Sequence, residues 1–397
     1  MHALRLLHKM MAQACPQIHA IRLTALMASV EALLVGRQMS LAGLGRAMVT
    51  GARVKHNIKR VDRLIGNRHL WGERTELYGA IAGLVLGQGP RPVIILDWSD
   101  LREDRSWQLL RAAVPVGGRS LTLYEEVHPL SAYDNRGVRK RFLDRLREIL
   151  PPGCRPLLVT DAGFRTTWFR QVEAMGWDWV GRVRGRTHFQ LDNEENWQPC
   201  RTLHAMANSR VRHIGTVELT ESNPLACDLY LVKKKKRGRQ QLTCRGTRAR
   251  GGRSLSCERR QREPWILVTS LGSRAAQQVL RCYQLRMQIE ESFRDMKNAR
   301  LGLHFRSARS NSAERLSILV LIGTLATLVA WLVGQAMQRF GLQRHYQANT
   351  TRHRPVLSTV FLGLQSFRRQ PVKLMLADIK QSIIALHQIT ASPLSYA

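Results

Sequence analysis

The stretch LSILVLIGTLATLVAWLVGQAM, Leu316 to Met337, carries no charged residue in a chain whose formal net charge is +33. Such a run has two possible environments, a bilayer or the centre of a large core. It meets the length of about 18–20 apolar residues that a membrane span needs. Two glycines, two threonines, a serine and a glutamine dilute it, and largely basic, soluble-looking sequence precedes it. The expectation is therefore a helix buried on all sides. With 397 residues, 44% of them apolar, the chain is large enough to build that core. Two to four domains of about 100–200 residues each are expected.

The elements that would surround this helix are read from the period of the apolar residues. Residues 1–85 show helical spacing and no strand alternation, and form a helical region. From residue 92 the period changes. PVIILD (92–97) is a continuous apolar run ending in Asp97. SWQLLRAAVPV (106–116) and SLTLYEEVHPL (120–130) follow, with GGR between them as a hairpin signal. A charged helix over 137–150 is stopped by Pro151, Pro152 and Gly153. RPLLVTDAG (155–163) repeats the pattern of an apolar run and then an Asp, and a further helix leads to the strand WDWVGRVRG (177–185). Three strands, helix, strand, helix, strand is the order of an α/β mixed sheet with helices on its faces. Residues 186–264 hold short strand-like pieces and a basic loop. PWILVTSL (264–271) is again a strand, followed by a helix over 275–298. The resulting boundaries are 1–85, a core at 90–185 and 265–338 interrupted at 186–264, and a helical C-terminal region at 339–397.

The charge identifies a partner. Lys and Arg number 62 against 29 acidic residues, a field that calls for a polyanion, nucleic acid first and an anionic membrane surface as the weaker alternative. No membrane partner is expected, and the expected compartment is the cytoplasm. In SLAGLGRAMVTGARVKHNIKRVDRLIGN (40–67), Ser40 is a helix cap and Thr50-Gly51 a break. The second helix sets Val54, Ile58, Val61 and Ile65 at helical spacing, while Lys55, Lys59 and Arg60 lie on other faces beside Arg53, His56 and Arg63. This is a helix–turn–helix pattern with a phosphate-facing basic side. Between 233 and 262 there are thirteen Lys or Arg and one acidic residue, a solvated loop that suits phosphate. Seven scattered cysteines without a CxxC pair read as reduced thiols.

In YQLRMQIEESFRDMK (283–297), about 100° per residue places Tyr283, Arg286, Glu290 and Lys297 within roughly a 60° arc, with Glu291 about 100° away. An ordinary Arg–Glu pair at i, i+4 is one account of that face. Convergence with Asp97 and Asp161 at strand ends is the other. Asp100 is an alternative to Asp97, which is preferred because it ends the apolar run directly. Three carboxylates brought together repel unless cations neutralise them. A pair of Mg2+ ions, with Mn2+ as substitute, serves that purpose and supports in-line displacement at a phosphodiester. On this reading Asp97, Asp161 and Glu290 are the catalytic metal ligands, and Tyr283, Arg286 and Lys297 contact phosphate.

ILDWSD, LVTDAGF and YQLRMQIEESFRDMK together resemble the three signature blocks of the DDE transposases of bacterial insertion sequences, in the family founded on insertion sequence four. The last block fits that family's Tyr-x2-Arg-x3-Glu-x6-Lys pattern residue for residue. The resemblance implies a ribonuclease-H-like catalytic core interrupted by a β-rich insertion, which 186–264 would supply. It also implies Mg2+-dependent cut-and-paste excision through a DNA hairpin, by a homodimer holding terminal inverted repeats and target DNA. Trp265 falls where related transposases place a tryptophan that stacks on a flipped base, and Arg184, with Arg182, lies near a phosphate contact. Nucleoid association follows from the same resemblance.

Overall fold

The computed structural model describes residues 2–192, 194–234, 247–252, 254–255, 263–351, 354–368 and 374–392. Most of the basic loop at 233–262 lies outside the described residues, as do Cys244 and Cys257. The architecture is mixed α/β and compatible with a ribonuclease-H-like core. The chain divides into two compact units, residues 1–156 with 285–397, and residues 157–284.

The first unit is built on three antiparallel strands, β1 (Val93–Asp100), β2 (Trp107–Pro115) and β3 (Ser120–Pro129). Gly117 and Gly118 both have positive φ at the β2–β3 turn, as the GGR signal anticipates. The strand β1 does not stop at Asp97. It runs on to Asp100, with Asp97 paired to Arg111 of β2. What ends at Asp97 is burial. The four residues before it are buried and the four from it onward only half-buried.

The long helix Ala313–Arg339 is the centre of this unit. It packs against β3, the helices Ala20–Gly36 and Thr359–Arg368, and the C-terminal helix Leu376–Ala391. By length and composition it passes as a membrane span, yet 94% of its most apolar window is buried. It is a core helix, apolar all round because it has neighbours all round. Two glycines permit its closest contact. A Cβ at Gly334 would lie 1.9 Å from the carbonyl oxygen of Thr359, and one at Gly363 would lie 1.8 Å from that of Ala330. No residue larger than glycine allows these two backbones to touch.

Among the described residues the second unit carries seven strands: β4 (Leu157–Thr160), β5 (Asp178–Val183), β6 (His188–Leu191), β7 (Gln198–Pro199), β8 (Arg212–Leu219), β9 (Leu225–Val232) and β10 (Trp265–Thr269). Their order is β4-β5-β10-β9-β8-β6-β7, parallel only between β4 and β5. The helix Thr166–Glu173 connects the parallel pair and lays Phe169 on Trp179, with ring centroids 4.0 Å apart and planes 10° apart. Strands β6 to β9 therefore extend the sheet begun by β4 and β5, and β10 is inserted between β5 and β9.

Candidate active site

In the first unit, residues spaced by two on a strand share a face. Asp97 and Ser99 thus lie on one face of β1, and Asp100 on the other. The helix Met287–Lys297 packs on the three-stranded sheet. It meets the face bearing Asp97 and Ser99. Arg286 Nη1 donates to Asp97 Oδ2 at 3.1 Å, and its Nη2 to Glu290 Oε1 at 2.5 Å. Lys297 Nζ donates to Ser99 Oγ at 2.6 Å. The other Asp97 oxygen, Oδ1, accepts the amide of Trp98 at 2.8 Å. Asp100 pairs instead with Arg105 at 3.5 Å. Glu291 points elsewhere and accepts from Arg294 at 2.7 Å.

The expected single helix over 275–298 is two helices, Ala276–Leu285 and Met287–Lys297, with Arg286 between them. Arg286 keeps helical dihedrals, φ −54° and ψ −31°, so the i, i+4 relation to Glu290 survives. The Arg286–Glu290 pair is present, and its guanidinium also reaches the strand carboxylate. Burial lowers the Lys297 pKa from 10.5 to about 8, against the pull of Asp100, and Arg111 and Arg306 lower it further.

The same face carries a pair that sequence reasoning missed. Arg111 stands between Asp97 on β1 and Glu125 on β3 in the strand register. Arg111 Nε donates to Glu125 Oε2 at 2.7 Å, and Glu125 also accepts from the hydroxyls of Tyr78 at 3.1 Å and Thr324 at 2.6 Å. Glu125 is completely buried. The Arg111 guanidinium sits 4.9 Å from the ring centroid of Phe293 and donates to Met296 Sδ at 3.3 Å. Both partners belong to the helix that carries Glu290.

In the second unit, Asp161 follows β4 directly, and its Oδ1 accepts the amide of Gly163 at 2.7 Å, a turn-forming bond of the Asx type. Trp265 opens β10. The Arg182 guanidinium and Lys234 ammonium lie 5.9 and 5.7 Å from its ring centroid, and Tyr283 packs edge-on at 5.1 Å. Burial lowers the pKa of Arg182. Tyr283, expected among the phosphate contacts, is only 3% exposed, buried against the indole of Trp265. Arg184 pairs with Glu263 at 3.6 Å.

The basic helix Val54–Ile65 keeps Lys55, Lys59 and Arg60 exposed while Val61, Leu64 and Ile65 are buried. Its partner helix Leu41–Ala47 is capped by Ser40, whose hydroxyl accepts from Gly43 N at 3.1 Å. The described cysteines are free, and burial raises the thiol pKa of Cys15, Cys154 and Cys282 to about 11 and of Cys200 to about 12.

Among the described residues, no group of three or more His, Cys, Asp or Glu side chains is gathered to hold a metal ion. Asp97 and Glu290 nevertheless converge on one cation, the Arg286 guanidinium. Two hard oxygen donors drawn to a single positive charge suit a divalent ion. The family is fixed by residues 88–325, more than half of the chain, which match the transposase DDE domain. The chain belongs to that family, and is thus a DNA-binding transposase. No curated protein sequence matches it.

Proposed function

We propose that this transposase excises its element from double-stranded DNA and inserts it elsewhere, by hydrolysis and strand transfer at the Asp97, Asp161 and Glu290 carboxylates. The observation that carries the reading is the convergence of Asp97 and Glu290, from a strand and a helix far apart in sequence, on one positive charge. Bound in a pair, Mg2+ ions (or Mn2+) would activate the attacking water or 3′-hydroxyl and neutralise the leaving oxygen. Asp97, Asp161 and Glu290 would supply the oxygen ligands. Lys297, with Arg286, holds the phosphate beside the reacting bond, the one as a point charge and the other as a planar fork.

Trp265 offers an aromatic face to a base turned out of the stack, a contact worth about 1–3 kcal/mol. Its flanking cations, Arg182 and Lys234, favour the adjacent phosphates, and so does Arg184. This arrangement supports excision through a hairpin on the flanking DNA. The fit to the Tyr-Arg-Glu-Lys block supports a place in the insertion-sequence-four group near the Tn-ten transposase. It also supports a ribonuclease-H-like core whose insertion is 186–264, and a homodimer pairing two inverted repeats. The exposed Lys55, Lys59 and Arg60 bind the backbone of those repeats.

The test is incubation with Mg2+ and duplex DNA carrying matched terminal repeats. Excised element with hairpin ends is the expected product. Cleavage at sites unrelated to the repeats would mean a nuclease, and binding without cleavage a regulator.

A further inference from the structure

Arg286 is 9% exposed and cannot lose its proton at any ordinary pH. Its two terminal nitrogens are committed to carboxylates on different elements, Asp97 on β1 and Glu290 on the helix Met287–Lys297. Asp97 Oδ1 takes the Trp98 amide, and the guanidinium bonds Oδ2. Lys297 is directed to Ser99 and Arg111 to Glu125.

From this geometry we propose that Arg286 is the resident counter-cation of the carboxylate site in the DNA-free protein. A divalent ion then binds Asp97 and Glu290 only by displacing the guanidinium, so Arg286 holds the metal affinity of the resting protein down. The inference rests on the reading of Asp97 and Glu290 as metal ligands. It adds a function to Arg286 that a phosphate contact alone does not provide. Once displaced, a planar fork suits a backbone phosphate, so metal uptake is favoured where the substrate can receive it.

Only arginine spans both carboxylates. Lysine at the same position ends in a single charged nitrogen on an unforked stem and cannot donate from two parallel arms. Removing the fork leaves the two carboxylates facing each other with less compensation, and a divalent ion relieves that repulsion.

The experiment measures Mn2+ binding to the full chain without DNA, by the electron paramagnetic resonance signal of free Mn2+. The variants are R286Q, R286K and the double variant D97N/E290Q. R286Q is expected to bind Mn2+ about tenfold more tightly than wild type, the equivalent of roughly one charge-assisted hydrogen bond no longer competing. R286K is expected to fall between the two, and it serves as the readout if R286Q does not fold. Mn2+ is also expected to raise the melting temperature of R286Q or R286K more than that of wild type. The inference is overturned if both Arg286 variants bind Mn2+ no more tightly than wild type while D97N/E290Q loses binding. If D97N/E290Q binds as wild type does, the metal-ligand reading itself fails, and this inference with it.

Discussion

Replacing Arg111 with Met tests how the carboxylate face is supported. The Arg111 side chain is 6% exposed and that of Glu125 0%. Taking away one partner of a buried ion pair strands the other, at a cost of about 3–5 kcal/mol. Glu125 retains the Tyr78 and Thr324 hydroxyls, so R111M belongs near the lower end, about 3 kcal/mol. At about 2–4 °C per kcal/mol for a unit of this size, melting should fall by roughly 6–12 °C. The double variant R111M/E125L removes both charges and should recover most of the loss. Scanning calorimetry and urea unfolding measure both quantities. DNA cleavage should decline in R111M beyond what unfolding accounts for, because Arg111 also touches Phe293 and Met296 on the helix that carries Glu290. A loss below about 1 kcal/mol in R111M, or a double variant no more stable than the single, would refute this reasoning.

Other outcomes follow from the same structure. Lys297 should lose its charge as pH rises through about 8, giving DNA cleavage an alkaline limb there that K297R removes. Between about 8 and 10.5 the unfolded chain holds more protons than the folded one, so stability should rise with pH relative to K297M, as chemical denaturation at stepped pH would reveal. Gly363→Ala or Gly334→Ala should cost at least 1–3 kcal/mol, an order-of-magnitude figure for overpacking, because the new methyl meets backbone oxygen; an unchanged melting temperature would contradict that contact. Combined Lys55→Ala, Lys59→Ala and Arg60→Ala should weaken DNA binding on any sequence and reduce the slope of log affinity against log salt by up to about 3. An unchanged slope would remove that helix from the interface.

What could be read from the sequence had short-range causes. The phase of a helix separates Glu290 from Glu291, and the structure shows Glu290 on the Asp97 side and Glu291 on Arg294. The uncharged run at 316–337 specified a helix buried on every side, and Ala313–Arg339 is that helix. Strand alternation separates Asp97 from Asp100, although the apolar run suggested a strand end where β1 in fact continues. The Arg111–Glu125 pair was hidden by an irregularity. Pairing outward from the GGR turn, Pro115 with Ser120 and Ala113 with Thr122, a regular ladder would set Arg111 opposite Tyr124. A bulge between Ala112 and Ala113 brings Glu125 there instead. Arg286 illustrates a second limit. Its i, i+4 bond to Glu290 follows from helix geometry, whereas its bond to Asp97 depends on how the helix seats on the sheet. Similarly, helical phase put Tyr283 on the shared face without revealing that Trp265 would cover it.

The most direct test of the account is Mg2+-dependent cleavage of a repeat-bearing duplex by D97N, D161N and E290Q, with E291Q as control and DNA binding measured in parallel. The account predicts that each of the first three loses cleavage by several orders of magnitude while binding DNA as wild type does, and that E291Q cleaves normally. Retained cleavage in any one of D97N, D161N or E290Q would contradict it.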